Sequence, residues 1–133
     1  MLLHGGCCCG AVRYETSGMP YHQTICHCPT CRRTAGAASM AWFSVERSTY
    51  RITQGAPGRY QSSPTVTRSF CGQCGTQLTY ENNELNGDLD ITICSLDDPE
   101  ALAPADHTFT AYRLGWDRAS DGLPEYPQLR SGA

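Results

Sequence analysis

Seven of the nine cysteines lie in three short groups whose spacing is typical of metal ligands. The groups are an N-terminal pair (Cys7 and Cys9), a triplet (Cys26, Cys28 and Cys31) and a knuckle pair (Cys71 and Cys74). Four thiolates complete a tetrahedral structural zinc site, whereas three thiolates leave one coordination position open for a substrate atom. The count of seven therefore indicates two zinc sites, one closed and structural, the other open and catalytic.

The knuckle pair is the clearest half-site, because a C-x-x-C turn brings two sulfurs to one metal ion. Gly75 follows it and suits the left-handed backbone that such a turn often needs. Its other half is either the N-terminal pair or, as in a zinc ribbon, Cys28 and Cys31, and spacing alone leaves both connectivities open. We favour the N-terminal pair, which leaves the whole triplet for a second ion with a free position.

Metal binding explains these cysteines better than disulfide bonds do. The number of cysteines is odd, the chain starts without a secretory signal, and neighbours one or two residues apart are poor disulfide partners. Cys8 and Cys94 have no partner at metal spacing, so we expect both to be bystander thiols, with Cys94 packed on a strand.

Composition predicts a single mainly β domain over residues 1–133. Charged residues make up only 17%, while 13 glycines and 8 prolines favour short strands joined by turns. The formal charge of −3 argues against nucleic acid as a partner. No run approaches the roughly 20 apolar residues of a membrane span, so we expect a cytoplasmic protein with no membrane partner. The oligomeric state stays open.

Alternating hydrophobicity places the strands around these cysteine groups. Strands are predicted at 11–15, 22–26, 39–44, 49–53, 65–70, 76–80, 88–93 and 108–112, with helical turns at 32–36 and 99–102. In the strand 88–93, Leu89, Ile91 and Ile93 should share one buried face. The tail 115–133 is predicted to be irregular and to be held by Trp116 and Tyr126.

Four ordered motifs resemble the glutathione-dependent formaldehyde-activating enzyme family, which includes the centromere protein V domain. They are "G-G-C-C-C-G-A-V-R-Y", "C-H-C-P-T-C-R-R-T-A-G", "F-C-G-Q-C-G-T-Q-L" and "S-L-D-D-P". The resemblance implies a complex Mss-four-like β fold with few short helical turns. It also implies that the N-terminal and knuckle pairs hold a structural zinc and that the triplet holds a catalytic zinc.

The same resemblance implies a carbon–sulfur lyase that condenses glutathione with formaldehyde to S-hydroxymethylglutathione. We favour a role in which zinc deprotonates the coordinated glutathione thiol, which becomes the nucleophile, over the alternative in which zinc polarises the aldehyde oxygen. Arg32 and Arg33 follow the triplet and are candidates for binding the glutathione carboxylates. His107 is a candidate for substrate binding and proton transfer. His27 should point away from the metal, at the surface or behind the ligands.

Two other functions remain open from the residues. A zinc-stapled domain without catalytic activity could bind glutathione or a protein partner through the same framework. A redox or zinc-sensing protein would instead oxidise the triplet reversibly and release zinc. Trp42 and Trp116 are expected in the core or in a pocket wall under every one of these interpretations.

Overall fold

The computed structural model describes residues 1–84, 87–118 and 120–130. Within them the chain forms ten β-strands and one α-helix, so the predicted mainly β class is confirmed. The strands are β1 (Leu3–Gly6), β2 (Arg13–Thr16), β3 (Tyr21–Cys26), β4 (Met40–Glu46), β5 (Tyr50–Gln54), β6 (Gly58–Ser63), β7 (Val66–Phe70), β8 (Gln77–Asn82), β9 (Asp88–Thr92) and β10 (Asp106–Thr108). The helix α1 spans Pro29–Ala35.

The strands form two sheets. The smaller sheet has the order β1-β2-β5, and the larger has the order β10-β3-β4-β9-β8-β7-β6. Pairing is antiparallel throughout both sheets except between β10 and β3, which run parallel at one edge of the larger sheet. This edge carries β3, the strand that ends in the first cysteine of the triplet.

The main hydrophobic core lies between the two sheets. The smaller sheet contributes Tyr14, and the larger contributes Phe43, Leu78 and Ile91, each at most 1% exposed. Leu89, Ile91 and Ile93 all belong to this core, as their alternation predicted. The buried Tyr14 hydroxyl shares a hydrogen bond of 2.6 Å with Ser95 Oγ, because a polar atom in such a core needs a partner.

The opposite face of the larger sheet carries a row of polar side chains. Arg68, Tyr80, Asp90 and Ser44 are register partners across β7, β8, β9 and β4, and directly opposed residues share a face of a sheet. Ser44 Oγ donates a hydrogen bond of 2.6 Å to Asp90. The Arg68 guanidinium lies 5.0 Å from the centre of the Tyr80 ring. We call these four residues the polar row.

Helix α1 begins three residues before the predicted turn at 32–36. Pro29 occupies the first helical turn, where its missing N–H is not needed, and Cys28 precedes it as the N-cap. Gly36 ends the helix in the left-handed conformation at φ 61°. The predicted turn at 99–102 is present as a 3-10 turn over Pro99–Ala101.

Three strand predictions were incomplete or wrong. The strand expected at 108–112 is instead Asp106–Thr108, because Phe109 takes a left-handed backbone at φ 56° and a 3-10 turn follows. β1 was missed because two of its four residues are glycine. β6 was missed because it is an edge strand of mostly polar, exposed residues.

The tail is held by its backbone and not by Trp116, which is 76% exposed. The His107 amide donates to the Pro124 carbonyl, and the Tyr126 amide donates to the His107 carbonyl, both at 2.9 Å. Arg130 adds two hydrogen bonds to Asp106, at 2.6 and 2.9 Å. The predictions that Trp116 pins the tail and that it lies in the core or a pocket wall are therefore both wrong. Residues 119 and 131–133 of the predicted tail lie outside the described residues.

In the described part of the chain, no helix has the length and apolar character needed to cross a membrane.

Candidate metal centres and active site

The N-terminal pair and the knuckle pair meet in one four-cysteine cluster. Their four sulfurs all lie within 4.8 Å of one another. Cys9 Sγ is 3.6 Å from Cys7 Sγ and 3.7 Å from Cys71 Sγ. Four sulfurs about 2.3 Å from a central zinc ion stand about 3.8 Å apart, so the donor set fits tetrahedral zinc.

Backbone turns on both sides position these sulfurs. The Gly75 amide donates to the Cys71 carbonyl at 2.8 Å, and Gly75 has φ 83°, the left-handed conformation expected after the knuckle pair. The amides of Val12 and Cys74 donate to Cys7 Sγ at 3.2 Å and to Cys71 Sγ at 3.4 Å. Such N–H groups stabilise thiolate charge.

The four-cysteine cluster is also packed into the main core. Cys7 and Cys71 are 7% and 1% exposed and contact the apolar residues between the sheets. Cys9 and Cys74 lie on its exposed side. A metal ion there would join the N-terminal segment to the β7–β8 hairpin, which is what a structural staple does.

The triplet forms a second cluster with one sulfur fewer. Cys26 ends β3, Cys28 caps α1 and Cys31 lies in the first turn of that helix, so that all three sulfurs lie within 4.8 Å of one another. The Cys31 amide donates to Cys28 Sγ at 3.3 Å. Among the described residues, no fourth thiol, imidazole or carboxylate joins this group. A tetrahedral ion bound here would keep one position for another ligand.

Without a metal ion, the pKa values of the three triplet thiols differ, and Cys28 is the one that ionises most readily. Hydrogen bonds from the Cys26 and Cys31 thiols lower the pKa of Cys28 to about 2, and the charge of Arg68 acts in the same direction. The same bonds, together with burial, raise the pKa of Cys26. Negative charge is thus favoured on Cys28, the partly buried member of the triplet, which suits a divalent cation.

The zinc-ribbon connectivity is wrong, because Cys28 and Cys31 join Cys26 and not the knuckle pair. All nine cysteines are free thiols. Cys8 and Cys94 belong to neither cluster, and both are exposed. The expectation that Cys94 packs on a strand is also wrong, since it lies in a 3-10 turn.

Behind the triplet runs a chain of three hydrogen-bonded side chains. His27 and His107, each 2% exposed, share a bond of 2.9 Å between Nε2 and Nδ1. His107 Nε2 makes a second bond of 2.9 Å to Asp121 Oδ2. Burial lowers the pKa of His27. The alternative that put His27 at the surface is wrong, and both ring nitrogens of His107 are occupied by protein groups. We call these three residues the histidine chain.

The two arginines that follow the triplet have different surroundings. Arg32 Nη1 donates to the Tyr112 carbonyl at 2.7 Å and to the His27 carbonyl at 3.3 Å. Arg32 thereby ties α1 to the segment that follows β10. Arg33 is exposed on the same helix. Their predicted contact with substrate remains a prediction.

Arg68 was not among the residues predicted for the site, whereas Trp42 lies where it was expected. Trp42 is 5% exposed, packs against the triplet and meets Tyr80 edge-on at 6.1 Å between ring centres, so its expected place in a core or wall is confirmed. Arg68 is 3% exposed, with two guanidinium nitrogens each 3.8 Å from Cys31 Sγ. One feature of the sequence could have identified Arg68. It lies two residues after Val66 in a predicted strand, so both side chains should face the same, buried side.

Comparison with known proteins confirms the family resemblance of the four motifs. Residues 2–112 match the family described as Glutathione-dependent formaldehyde-activating enzyme. A curated protein of Halomonas elongata is 37% identical over 86 residues, which cover 59% of this chain and 55% of the relative. Its name gives the same assignment provisionally. An uncharacterized lyase of Schizosaccharomyces pombe is 30% identical over 76 residues, covering 57% of this chain and 55% of the relative.

The chain spans about half the length of the curated relatives it matches. A crystal structure of a Rhodobacter sphaeroides protein superimposes with a TM-score of 0.64 over 93% of this chain and 99% of that one. At 20% sequence identity this likeness establishes the fold alone.

Proposed function

Because the chain belongs to the glutathione-dependent formaldehyde-activating enzyme family, we propose that it joins a thiol such as glutathione to a small aldehyde such as formaldehyde. In this proposal it is a zinc-dependent carbon–sulfur lyase. The observation that carries the proposal is the triplet, a three-sulfur donor set with Cys26 and Cys31 buried and Cys28 partly exposed, which leaves one coordination position for the substrate.

The reaction makes one carbon–sulfur bond. The sulfur of the thiolate attacks the aldehyde carbon, and the electron pair of the carbon–oxygen double bond moves to oxygen. That oxygen takes up a proton, and the product is S-hydroxymethylglutathione. In the reverse direction the same bond breaks and releases the thiol and the aldehyde, which is the lyase sense of the reaction.

The two clusters have different parts in this proposal. The four-cysteine cluster would hold a structural zinc, and the triplet would hold a catalytic zinc. When bound at the triplet, zinc supplies a position for the substrate thiol and lowers the pKa of that thiol. Reduced cysteines and glutathione both require a reducing compartment, so the proposal places the protein in the cytoplasm.

The surrounding residues hold this site together. The histidine chain and the His27 amide, which donates to the Thr108 carbonyl at 3.1 Å, fix the loop between Cys26 and Cys28. Trp42 and Tyr80 cover the triplet and exclude water from its inner side. In this proposal His107 is a positioning residue, because neither of its ring nitrogens is available to a substrate.

The two arginines of α1 have complementary parts. Arg33, which is exposed on α1 two residues after Cys31, is our candidate for a glutathione carboxylate. Arg32 donates through one nitrogen to two backbone carbonyls, and its remaining donors could reach a second carboxylate. A substrate with two carboxylates would use both.

The test compares Cys28→Ser with the matched control Cys94→Ser. The readout is NMR exchange between glutathione and S-hydroxymethylglutathione, measured above the uncatalysed rate because formaldehyde also adds to glutathione in solution. Loss of a ligand from the triplet should lower the catalysed exchange at least about 100-fold. The exposed Cys94 belongs to neither cluster, and its variant should stay within about twofold of wild type.

A fully active Cys28→Ser variant would rule out the catalytic role of the triplet. If instead the wild type bound glutathione but did not exceed the uncatalysed exchange rate, the protein would be a zinc-stapled binding domain without catalytic activity.

A further inference from the structure

Arg68 is a buried cation without a carboxylate partner. All ten arginines lie in the described residues, and Arg68 is the one of them that is buried, at 3% exposure. Five others make ion pairs with aspartate or glutamate. For Arg68, no carboxylate oxygen of the described residues lies within 4.0 Å.

The contacts of the Arg68 guanidinium are neutral groups and one sulfur. Nε donates to Ser62 Oγ at 3.2 Å, and Nη1 donates to Thr34 Oγ1 at 3.4 Å. Its central carbon, Cζ, lies over the Tyr80 ring, 5.0 Å from the ring centre. Nη1 and Nη2 both face Cys31 Sγ at 3.8 Å, the fork geometry with which arginine meets an anion.

A guanidinium cannot lose its proton in a protein, and an uncompensated buried charge is strongly unfavourable. Hydroxyl oxygens and an aromatic face reduce this penalty but do not neutralise the charge. Cys31 Sγ is the atom among these contacts that can carry a negative charge, as a thiolate, so the triplet is placed to compensate the charge of Arg68.

We propose that Arg68 is the counter-ion of the triplet and that it enables this site to hold a metal together with a negatively charged sulfur ligand. Three thiolates and a divalent ion sum to −3 + 2 = −1, which Arg68 neutralises. When a substrate thiolate enters, the site with Arg68 has a net charge of −1 instead of −2. The inference rests on the proposed function, since it takes the zinc and the thiol from it.

Arg68 therefore acts as a positioning residue with a defined effect on ligand choice. A site that keeps its counter-ion should prefer an anionic sulfur ligand over a neutral one of the same shape. The four-cysteine cluster lacks such a cation among its sulfur contacts in the described residues, so changes at Arg68 should leave its metal affinity intact.

The experiment measures zinc affinity at each site by competition with a chromophoric chelator. Arg68→Gln removes the charge but retains polar atoms, whereas Arg68→Lys retains the charge. Arg59→Gln is the matched control, because Arg59 is exposed on the adjacent strand β6 and lies opposite Ser69, on the other face of the sheet.

We expect Arg68→Gln to weaken zinc at the triplet by about 10- to 100-fold, the usual effect of losing a group that supports metal ligands. Arg68→Lys should lose less than about threefold, and Arg59→Gln should match wild type. Zinc at the four-cysteine cluster should be unchanged in all three. Arg68→Gln should also lose preference for glutathione over S-methylglutathione, which has no thiol to ionise.

Equal zinc affinities in Arg68→Gln and wild type would overturn the inference and leave the proposed function standing. A wild type that binds only one zinc ion would overturn both. Loss of the zinc ion from the four-cysteine cluster would show that Arg68→Gln does not fold. In that case Arg68→Met repeats the comparison, because methionine fills similar space without an unpaired polar group. Arg68→Met with zinc affinity equal to Arg68→Lys would equally reject the counter-ion role.

Discussion

The four-cysteine cluster and the triplet use the same ligand atom in opposite surroundings. The four-cysteine cluster has two of its sulfurs in the apolar core between the sheets, and its thiols accept bonds mainly from backbone amides. The triplet lies against a separate group of residues that includes Trp42 and Tyr80, and a buried guanidinium and a buried histidine pair adjoin it.

This difference shows why ligand type alone does not assign a role to a metal site. Four protein ligands saturate a tetrahedral ion, so the surroundings need only pack around it. Three ligands leave one coordination position open, and the charge of the site then depends on the ligand that enters. The polar groups around the triplet are suited to stabilise that charge. Three measurements test this difference between the two clusters, and a fourth tests the polar row that includes Arg68.

The largest effect is expected from Cys71→Ser, which removes a ligand from the four-cysteine cluster. Structural zinc bound to cysteines contributes about 10–16 kcal/mol of apparent binding free energy, which is also folding free energy. The variant should therefore be unfolded at 25 °C by circular dichroism. A soluble variant with wild-type near-UV signal would show that this cluster does not staple the fold.

A chelator should remove the metal ions from the two sites one after the other. A chelator titration followed by zinc release and by circular dichroism should remove the ion of the triplet first, without loss of fold. Unfolding should follow only with the second ion, because that one is held by four protein ligands. Simultaneous release of both ions with unfolding would mean that the sites are not independent.

His107→Ala should affect stability and the triplet but not the four-cysteine cluster. The substitution leaves His27 without its 2.9 Å partner inside the protein, which should lower the free energy of unfolding by about 2–3 kcal/mol. Zinc at the triplet should bind about tenfold more weakly. His4→Ala is the control, since His4 is exposed. Unchanged zinc affinity in His107→Ala would reject a positioning role for the histidine chain.

The smallest effect is expected at Asp90 of the polar row. Burial raises the pKa of this carboxyl from 3.8 to about 6, so the folded protein binds its proton more tightly than the unfolded chain does. Stability from this group is greatest below pH 4 and is lost as the pH rises through 6. Asp90→Asn should therefore raise the free energy of unfolding by about 1–2 kcal/mol at pH 7.5 and by less at pH 5.

Denaturant unfolding of both proteins at the two pH values measures this difference. Comparison with wild type at each pH removes the effect of acid on the metal sites. A gain of the same size at pH 5 and pH 7.5 would show that removal of a buried charge is not its cause.

Local pattern predicted most of the strands and identified the cysteine half-sites from which both clusters are built. Strands with clear alternation, such as β9, were found close to their observed limits because their apolar side chains must face one core. β6 was not predicted because an exposed edge strand buries little apolar surface and so needs no alternation of apolar and polar residues. β10 was displaced because the left-handed Phe109 ends it early, and nothing in its local sequence signals that conformation.

The sequence alone determined which cysteines form half-sites, since C-x-C and C-x-x-C spacing acts over a few residues. It left the pairing of the half-sites open, because Cys9 and Cys71 are separated by 61 intervening residues and meet only when the sheets pack. The tertiary structure alone placed Arg68 against Cys31 and His107 against His27. Charge compensation and hydrogen bonding of this kind depend on distance in space, which strand register determines and local composition does not.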